Sequence, residues 1–329
     1  MARPVSGPEP SATVPAVDVV TLGETLALFR STGVGPLAHN TDFTLSVGGA
    51  ESNVAIAVTR LGGTAAWCGR VGDDAFGELI LRELRAEGVR VHAVVDAAAP
   101  TAHMVRIART PVLAQVTYAR AGSAGSRLGR TDVPQEVLRA ARILHVTGIT
   151  AALSTTALDT VVGTIADARA HGVTVSFDVN HRAALWDAAT ACAVYRRLLP
   201  EVDIVFAGAD EAQLVLDQDA EPEQLARRLA DLGPQQAVVK LGAEGCVAVI
   251  DGERHAAPGI AIEPVDTVGA GDAFVGGYLA ELAAGREPAE RLATANAAGA
   301  FACLSPGDWE GLPRRSELGL LSATEPVIR

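Results

Sequence analysis

The chain has 329 residues, 49% of them hydrophobic and 20% charged, which excludes an intrinsically disordered protein and leaves ample material for a large core. Its 27 basic and 39 acidic residues give a net charge of −12, so a general nucleic-acid binder, which needs a basic face, is excluded. No apolar run reaches the roughly 18 residues that would span a membrane, and no membrane partner is expected.

The first sixteen residues, MARPVSGPEPSATVPA, carry four prolines and no continuous apolar stretch. They read as a disordered leader rather than a signal peptide, ahead of one domain over 17–329. Strand-like and helix-like segments then alternate. Asp18–Arg30 is a β run that turns polar at Gly23-Glu24. Ser52–Leu61 is a helix stopped by Gly62-Gly63. Ala65–Val71 is a strand, and Asp73 or Asp74 caps a helix that runs to Glu87. Three β runs follow without helices between them: Val89–Asp96, Ala102–Arg109 and Val112–Arg120. The segment Arg109-Thr110-Pro111-Val112 reads as a hairpin connection.

Alternation returns with the apolar Ile143–Gly148, a helix after Ser154, a strand over Val173–Val179 and a helix over Asp187–Leu199. Next come a strand at Asp203–Ala207, a helix at Glu221–Leu232, a strand at Ala237–Leu241 and a hairpin around Asp251-Gly252. Two Ala-rich helices, about Gly271–Ala284 and Pro288–Leu304, complete the pattern. Buried strands alternating with helices predict an α/β fold, a doubly wound and mainly parallel sheet flanked by helices. Its ligands bind at the carboxyl ends of the strands. The β-only stretch 89–120, with 26–45, predicts a small second sheet acting as a lid.

Four cysteines, Cys68, Cys192, Cys246 and Cys303, are far apart with no CxxC. This spacing predicts neither a disulfide framework nor a zinc site, and points to a reducing cytoplasm. Lys240 is the single lysine. His145 lies in an apolar strand and reads as a core residue. Sequences typical of P-loops, nucleophile elbows and HExxH metal sites are absent.

The richest segment is Asp266-Thr267-Val268-Gly269-Ala270-Gly271-Asp272-Ala273-Phe274. Gly269 and Gly271 leave the backbone N–H groups of a helix N-terminus open to an anion. Asp272, in the first turn, is placed to accept a proton beside a bound phosphate. Alternatively, the glycines form a plain turn and Asp272 favours the helix dipole.

This segment resembles the second signature of the ribokinase-like (PfkB) carbohydrate kinase family. The first signature is matched by Gly48-Gly49-Ala50-Glu51-Ser52-Asn53-Val54-Ala55, with Gly69-Arg70-Val71-Gly72-Asp73-Asp74 downstream. The resemblance extends from Asp18 to about Leu320. It implies an ATP-dependent kinase with Asp272 as base, an anion hole from Gly269, Ala270 and Gly271, and sugar contacts from Gly48, Gly49 and Asn53. Lys240-Leu241-Gly242-Ala243-Glu244-Gly245 resembles the family's K-x-G-x-x-G turn at the nucleotide. Asn296 resembles a residue of the helix beside the adenine.

Glu211 matches the acid of the family's N-x-x-E motif, an indirect Mg2+ contact, but Gly208 stands where the Asn is expected. A monovalent cation and a homo-oligomer paired through lid edges are both compatible with the resemblance. Within the family the chain most resembles 2-keto-3-deoxygluconate kinases, through Val116–Ala124, Phe177–Arg182 and Gly307–Pro313. A sugar acid needs cations, and Arg120 and Arg182, at a lid edge and a strand end, suit a carboxylate. Tyr118 supplies a hydroxyl nearby. The alternatives are an ion pair of Arg182 with Asp178 or Asp187, and a solvated edge-strand charge at Arg120. Met104 replaces a tyrosine expected in the lid. A kinase for a neutral sugar, fructose-like or ribose-like, and a catalytically weak sugar-binding protein on the same fold therefore stay open.

Overall fold

A computed structural model describes residues 16–110 and 113–322. The leader expectation and the centre of the 109–112 connection lie outside the described residues.

Two sheets organise the chain. The larger holds β1 (Val17–Leu22), β4 (Ala65–Gly72), β5 (Arg90–Asp96), β8 (Ala141–Thr147), β9 (Thr174–Asp178), β10 (Ile204–Gly208), β11 (Gln236–Lys240), β12 (Gly245–Ile250) and β13 (Glu253–Pro258). Their order is β13-β12-β11-β10-β9-β8-β1-β4-β5. The seven strands from β11 to β5 pair in parallel, and β12 and β13 extend the sheet as an antiparallel hairpin. Strand order reverses at β1 and β8, the place where an open α/β sheet leaves a crevice at its carboxyl edge.

Period-2 alternation sorts the strand residues onto two apolar layers. Val20, Leu22, Leu144, Val146, Phe177 and Val205 face one side. There they meet α3 (Gln135–Arg139), α4 (Gly148–Ala152), α5 (Thr155–Ala170), α6 (Ala188–Leu198), α7 (Ala209–Leu216) and α8 (Pro222–Ala230). Val19, Trp67, Ile143, Phe206 and Val238 face the other side, under α1 (Ala50–Arg60), α2 (Ala75–Ala86), α9 (Ala270–Ala283) and α10 (Pro288–Ala302). Helix starts follow the capping residues. Asp74 accepts from the Gly77 N–H at 2.8 Å, Ser154 from Ala157 at 3.0 Å and Asp187 from Thr190 at 2.9 Å.

The smaller sheet, the one expected from sequence to act as a lid and called the lid below for its place, has the order β3-β2-β6-β7. It comprises β2 (Leu26–Val34), β3 (Phe43–Gly48), β6 (His103–Thr110) and β7 (Leu113–Ala119). Two expectations need correction here. The apolar run from Asp18 is two strands, which change sheets at Gly23–Thr25. Arg90–Asp96 is not lid but the edge of the main sheet, in parallel register with β4. One lid face packs on α2, where Phe29, Phe76 and His103 form a ring cluster. The opposite face carries Leu26, Leu28, Met104 and Arg106, and turns toward the carboxyl edge of the main sheet.

Candidate active site

The crevice between that edge and the lid collects most of the residues singled out from sequence. Gly269 precedes α9 with φ 75°, a left-handed angle suited to glycine. A Cβ there would also lie 1.9 Å from the Asp308 carbonyl oxygen. Two residues on, Asp272 is partly exposed in the first turn of α9. Asn53 Nδ2, from the first turns of α1, donates to Asp272 Oδ2 at 2.9 Å. Asn180 Nδ2 donates to Oδ1 at 3.3 Å. Asn180 stands after β9 with φ 37°, in the positive-φ region that asparagine tolerates better than most residues.

Burial pushes the Asp272 pKa up to about 6, and the charge of Asp178 adds to the rise. The Asn53 hydrogen bond and the charges of Arg182 and Lys240 oppose it. A carboxylate so placed is ionised near neutrality yet basic enough to take a proton.

Lys240 is not a solvated strand end. Its ammonium is paired with the buried Asp178 carboxylate, at 3.0 Å to Oδ1 and 2.7 Å to Oδ2. Burial would lower its pKa, but Asp178, with Glu211 and Asp272 beyond, holds it above the ordinary lysine value. A Cβ on Gly271 would stand 3.6 Å from Lys240 Nζ. The space in front of Gly271 is therefore bounded by a cation and by the N-terminus of α9, a setting for an anion.

Beside it opens a cavity of about 510 Å3. Gly242, Gly245 and Gly271 line its polar end, and Ile260, Ile262 and Phe274 its apolar wall. Gly245 has φ 97° and no room for a Cβ, which would meet the Ala257 carbonyl at 2.1 Å. Asn296 lines the cavity, but its Nδ2 is donated to the carbonyls of Ala257 and Pro258, at 3.1 and 3.0 Å. Its amide N–H groups thus hold β13 to α10.

Gly48 and Gly49 lead into α1 where backbones crowd. A Cβ on Gly49 would meet the Glu24 carbonyl oxygen at 2.5 Å, and one on Gly48 the Asp308 carboxylate at 2.4 Å. Asp308 was not singled out from sequence. Its Oδ1 has no hydrogen-bond partner among the described residues, and burial, with the charges of Asp272 and Glu310, pushes its pKa up to about 7.

The two arginines differ. Arg182 is exposed, and its Nη1 donates to the His181 carbonyl at 2.9 Å. Neither alternative pairing forms, because Asp178 is taken by Lys240 and Asp187 caps α6. Among the described residues Arg182 has no carboxylate partner, yet its charge reaches Asp272. Arg120 corrects the expectation of a free cation. It is 13% exposed and bonds Glu24 Oε2 through Nε at 2.9 Å and Nη2 at 2.7 Å, with its guanidinium over the Tyr118 ring. Glu24, also taken by Ser123, neutralises it. Tyr118 is 44% exposed on the lid, opposite Met104.

Glu211 spends both oxygens on backbone, accepting from Gly208 at 2.7 Å and His181 at 2.8 Å. It ties the loops after β9 and β10 together. A Cβ on Gly208 would make only an ordinary 3.6 Å contact with Glu211. Among the described residues no group of three or more His, Cys, Asp or Glu is set to hold a metal ion, and no helix is long and apolar enough to cross a membrane. The four cysteines are free. His145, deep in the core, bonds Ser176 and stays neutral, with burial pushing its pKa down to about 3.

Residues 17–315 match the model of the pfkB family carbohydrate kinases. The chain belongs to the pfkB family. It is a carbohydrate kinase with a ribokinase-type fold. A 2-dehydro-3-deoxygluconokinase of Bacillus subtilis is 36% identical, over 94% of this chain and 97% of its own length. A 2-dehydro-3-deoxygalactonokinase of Haloferax volcanii is 32% identical, over 92% of this chain and 98% of its own. Among solved structures, a 2-dehydro-3-deoxygluconokinase of Thermotoga maritima superposes with a TM-score of 0.86 at 26% identity, covering 93% of this chain and 98% of that one. A candidate ribokinase of E. coli in complex with ATP and Mg2+ gives a TM-score of 0.85 at 25% identity, covering 93% and 99%.

Proposed function

We propose that this kinase transfers the γ-phosphoryl group of ATP to a primary hydroxyl of 2-keto-3-deoxygluconate or a closely related sugar acid. The observation that carries the reading is Arg182, an exposed guanidinium near Asp272 with no carboxylate partner among the described residues. A sugar carboxylate would complete it through two parallel hydrogen bonds. The similarity to kinases of 2-keto-3-deoxy sugar acids supports the same choice. Arg120 contributes position rather than net charge, since Glu24 already balances it.

Asp272 takes the proton of the attacking hydroxyl as the oxygen–phosphorus bond forms and the bond to ADP breaks. Asn53 and Asn180 hold both carboxylate oxygens in place. The turn Gly269–Gly271 and Lys240 face the transferred phosphoryl group, and the 510 Å3 cavity accepts the nucleotide against Ile260, Ile262 and Phe274. Mg2+ would neutralise phosphate charge, riding mainly on the nucleotide and its own waters. The absence of a carboxylate cage among the described residues fits that mode, with Glu211 acting on the loops instead.

A neutral-sugar reading draws on one observation, the buried Met104 where a hydroxyl-bearing tyrosine was expected. Steady-state ADP release with sugar acids and with fructose or ribose tests the choice. The reading stands on higher kcat/KM for the acids and fails on higher kcat/KM for a neutral sugar.

A further inference from the structure

Arg106 lies on lid strand β6, paired with Arg30 of β2 and Val116 of β7. Its side chain leaves the lid and grips Asp266 with both terminal nitrogens, the Nη2 bond measuring 2.7 Å. The two side chains are 16% and 5% exposed. Such a two-pronged, desolvated ion pair is rigid and directional. Asp266 opens the segment that ends in the Gly269–Gly271 turn, six residues before Asp272.

The same carboxylate organises that segment. Its Oδ1 accepts from the Val268 N–H at 3.1 Å and its Oδ2 from the Gly307 N–H at 3.3 Å. Gly307 leads into Asp308, whose carbonyl oxygen packs on Gly269. One carboxylate thus joins a lid strand, the approach to the phosphate turn and the loop that buttresses Gly269. Pro264 and Thr267 border both the 510 Å3 nucleotide cavity and a second cavity of about 450 Å3 under the lid, which Arg106 and Asp266 also line. The pair stands where the two spaces meet.

We propose that Arg106 is a positioning residue for nucleotide binding and phosphoryl transfer: through Asp266 it sets the Gly269–Gly271 turn from the lid side, so that lid position and phosphate-site geometry change together. The inference rests on the reading of that turn as the phosphate site. Removing the guanidinium leaves Asp266 charged and partly desolvated, and the turn loses its tether to β6.

The test is calorimetric titration of the full chain with Mg2+ and a non-hydrolysable ATP analogue, without sugar. The proteins are wild type, Arg106→Gln, Arg106→Lys, Asp266→Asn and the Arg106→Gln/Asp266→Asn double variant. Coupling along such a network is worth about 2- to 30-fold. Arg106→Gln is expected to weaken binding about tenfold, and Arg106→Lys to recover part. The double variant should be no worse than the poorer single one, because the two residues act as a unit. Unchanged nucleotide affinity in Arg106→Gln, even with a lowered Tm, overturns the proposal and leaves a purely structural pair. Fully additive losses overturn it as well. The titration uses no sugar, so inactivity toward sugar acids would sink the substrate reading and leave this result standing.

Discussion

Replacing Arg182 with Leu separates the acid reading from the neutral one. An exposed ion pair is worth up to about 1 kcal/mol. Breaking a fully buried one costs about 3–5 kcal/mol. Arg182 is exposed in the free protein and would be partly covered by a bound sugar under the lid, so an intermediate loss of about 2–3 kcal/mol follows. That is roughly 30- to 150-fold in kcat/KM for a sugar acid. A second effect must be kept apart. The Arg182 charge holds the Asp272 pKa down, so its removal raises that pKa and depresses turnover of every substrate near neutral pH. Assays at pH 8.5, where Asp272 is ionised in both proteins, remove this general loss. Arg182→Lys keeps the charge but not the planar fork, and should restore part of the acid activity. The comparison is kcat/KM for 2-keto-3-deoxygluconate and fructose in the three proteins. Equal losses for both sugars at pH 8.5 would refute the role of Arg182 in carboxylate recognition.

Asp272→Asn should lower kcat by on the order of 10²–10⁴ while nucleotide binding, followed by titration, stays near wild type. More than half of the activity remaining would exclude Asp272 as the base. In the wild type, kcat/KM should rise with pH through about 6, because the base must lose its proton and burial has raised its pKa to about that value. A profile flat from pH 5 to 8 would contradict this. Glu51 is fully buried, accepts from Thr147 and Thr150, and leaves Oε2 unpartnered among the described residues. Burial pushes its pKa from 4.5 to about 7, so the folded chain keeps a proton the unfolded chain releases, and stability falls as pH rises from about 4.5 to 7. Glu51→Gln should therefore raise Tm at pH 8 relative to wild type and change it little at pH 5. Thermal melts at the two pH values decide, and an equal shift at both would refute the assignment.

The main sheet was legible because its central strands are largely buried on both faces and its helices begin with strong caps at Asp74, Ser154 and Asp187. The Gly269–Gly271 turn was legible because its first glycine is required, by a left-handed angle and by an Asp308 carbonyl oxygen that leaves no room for a Cβ. Sheet membership was not. Val17–Leu22 and Leu26–Val34 read as one β run, and its polar break at Gly23-Glu24 does not by itself say that the chain changes sheet there. Arg90–Asp96 resembled lid because no helix follows it, whereas its parallel ladder to β4 decides its place. Charge pairing was hidden for the same reason. Glu24 meets Arg120 across 96 residues, and Lys240 meets Asp178 across 62. Only the fold reveals that Arg120 is already neutralised and Arg182 is not. Asn180 was visible within a matched segment, but its contact with Asp272 depends on a left-handed turn after β9.

The most direct test of sugar-acid phosphorylation is an internal competition. The full chain is incubated with ATP, Mg2+ and equimolar 2-keto-3-deoxygluconate, 2-keto-3-deoxygalactonate, fructose and ribose, and the phosphate esters are resolved by mass spectrometry. Their initial ratio reads relative kcat/KM directly. The structure predicts that an acid ester dominates, by about tenfold or more given the 2–3 kcal/mol assigned to Arg182. A dominant fructose or ribose ester would contradict the account.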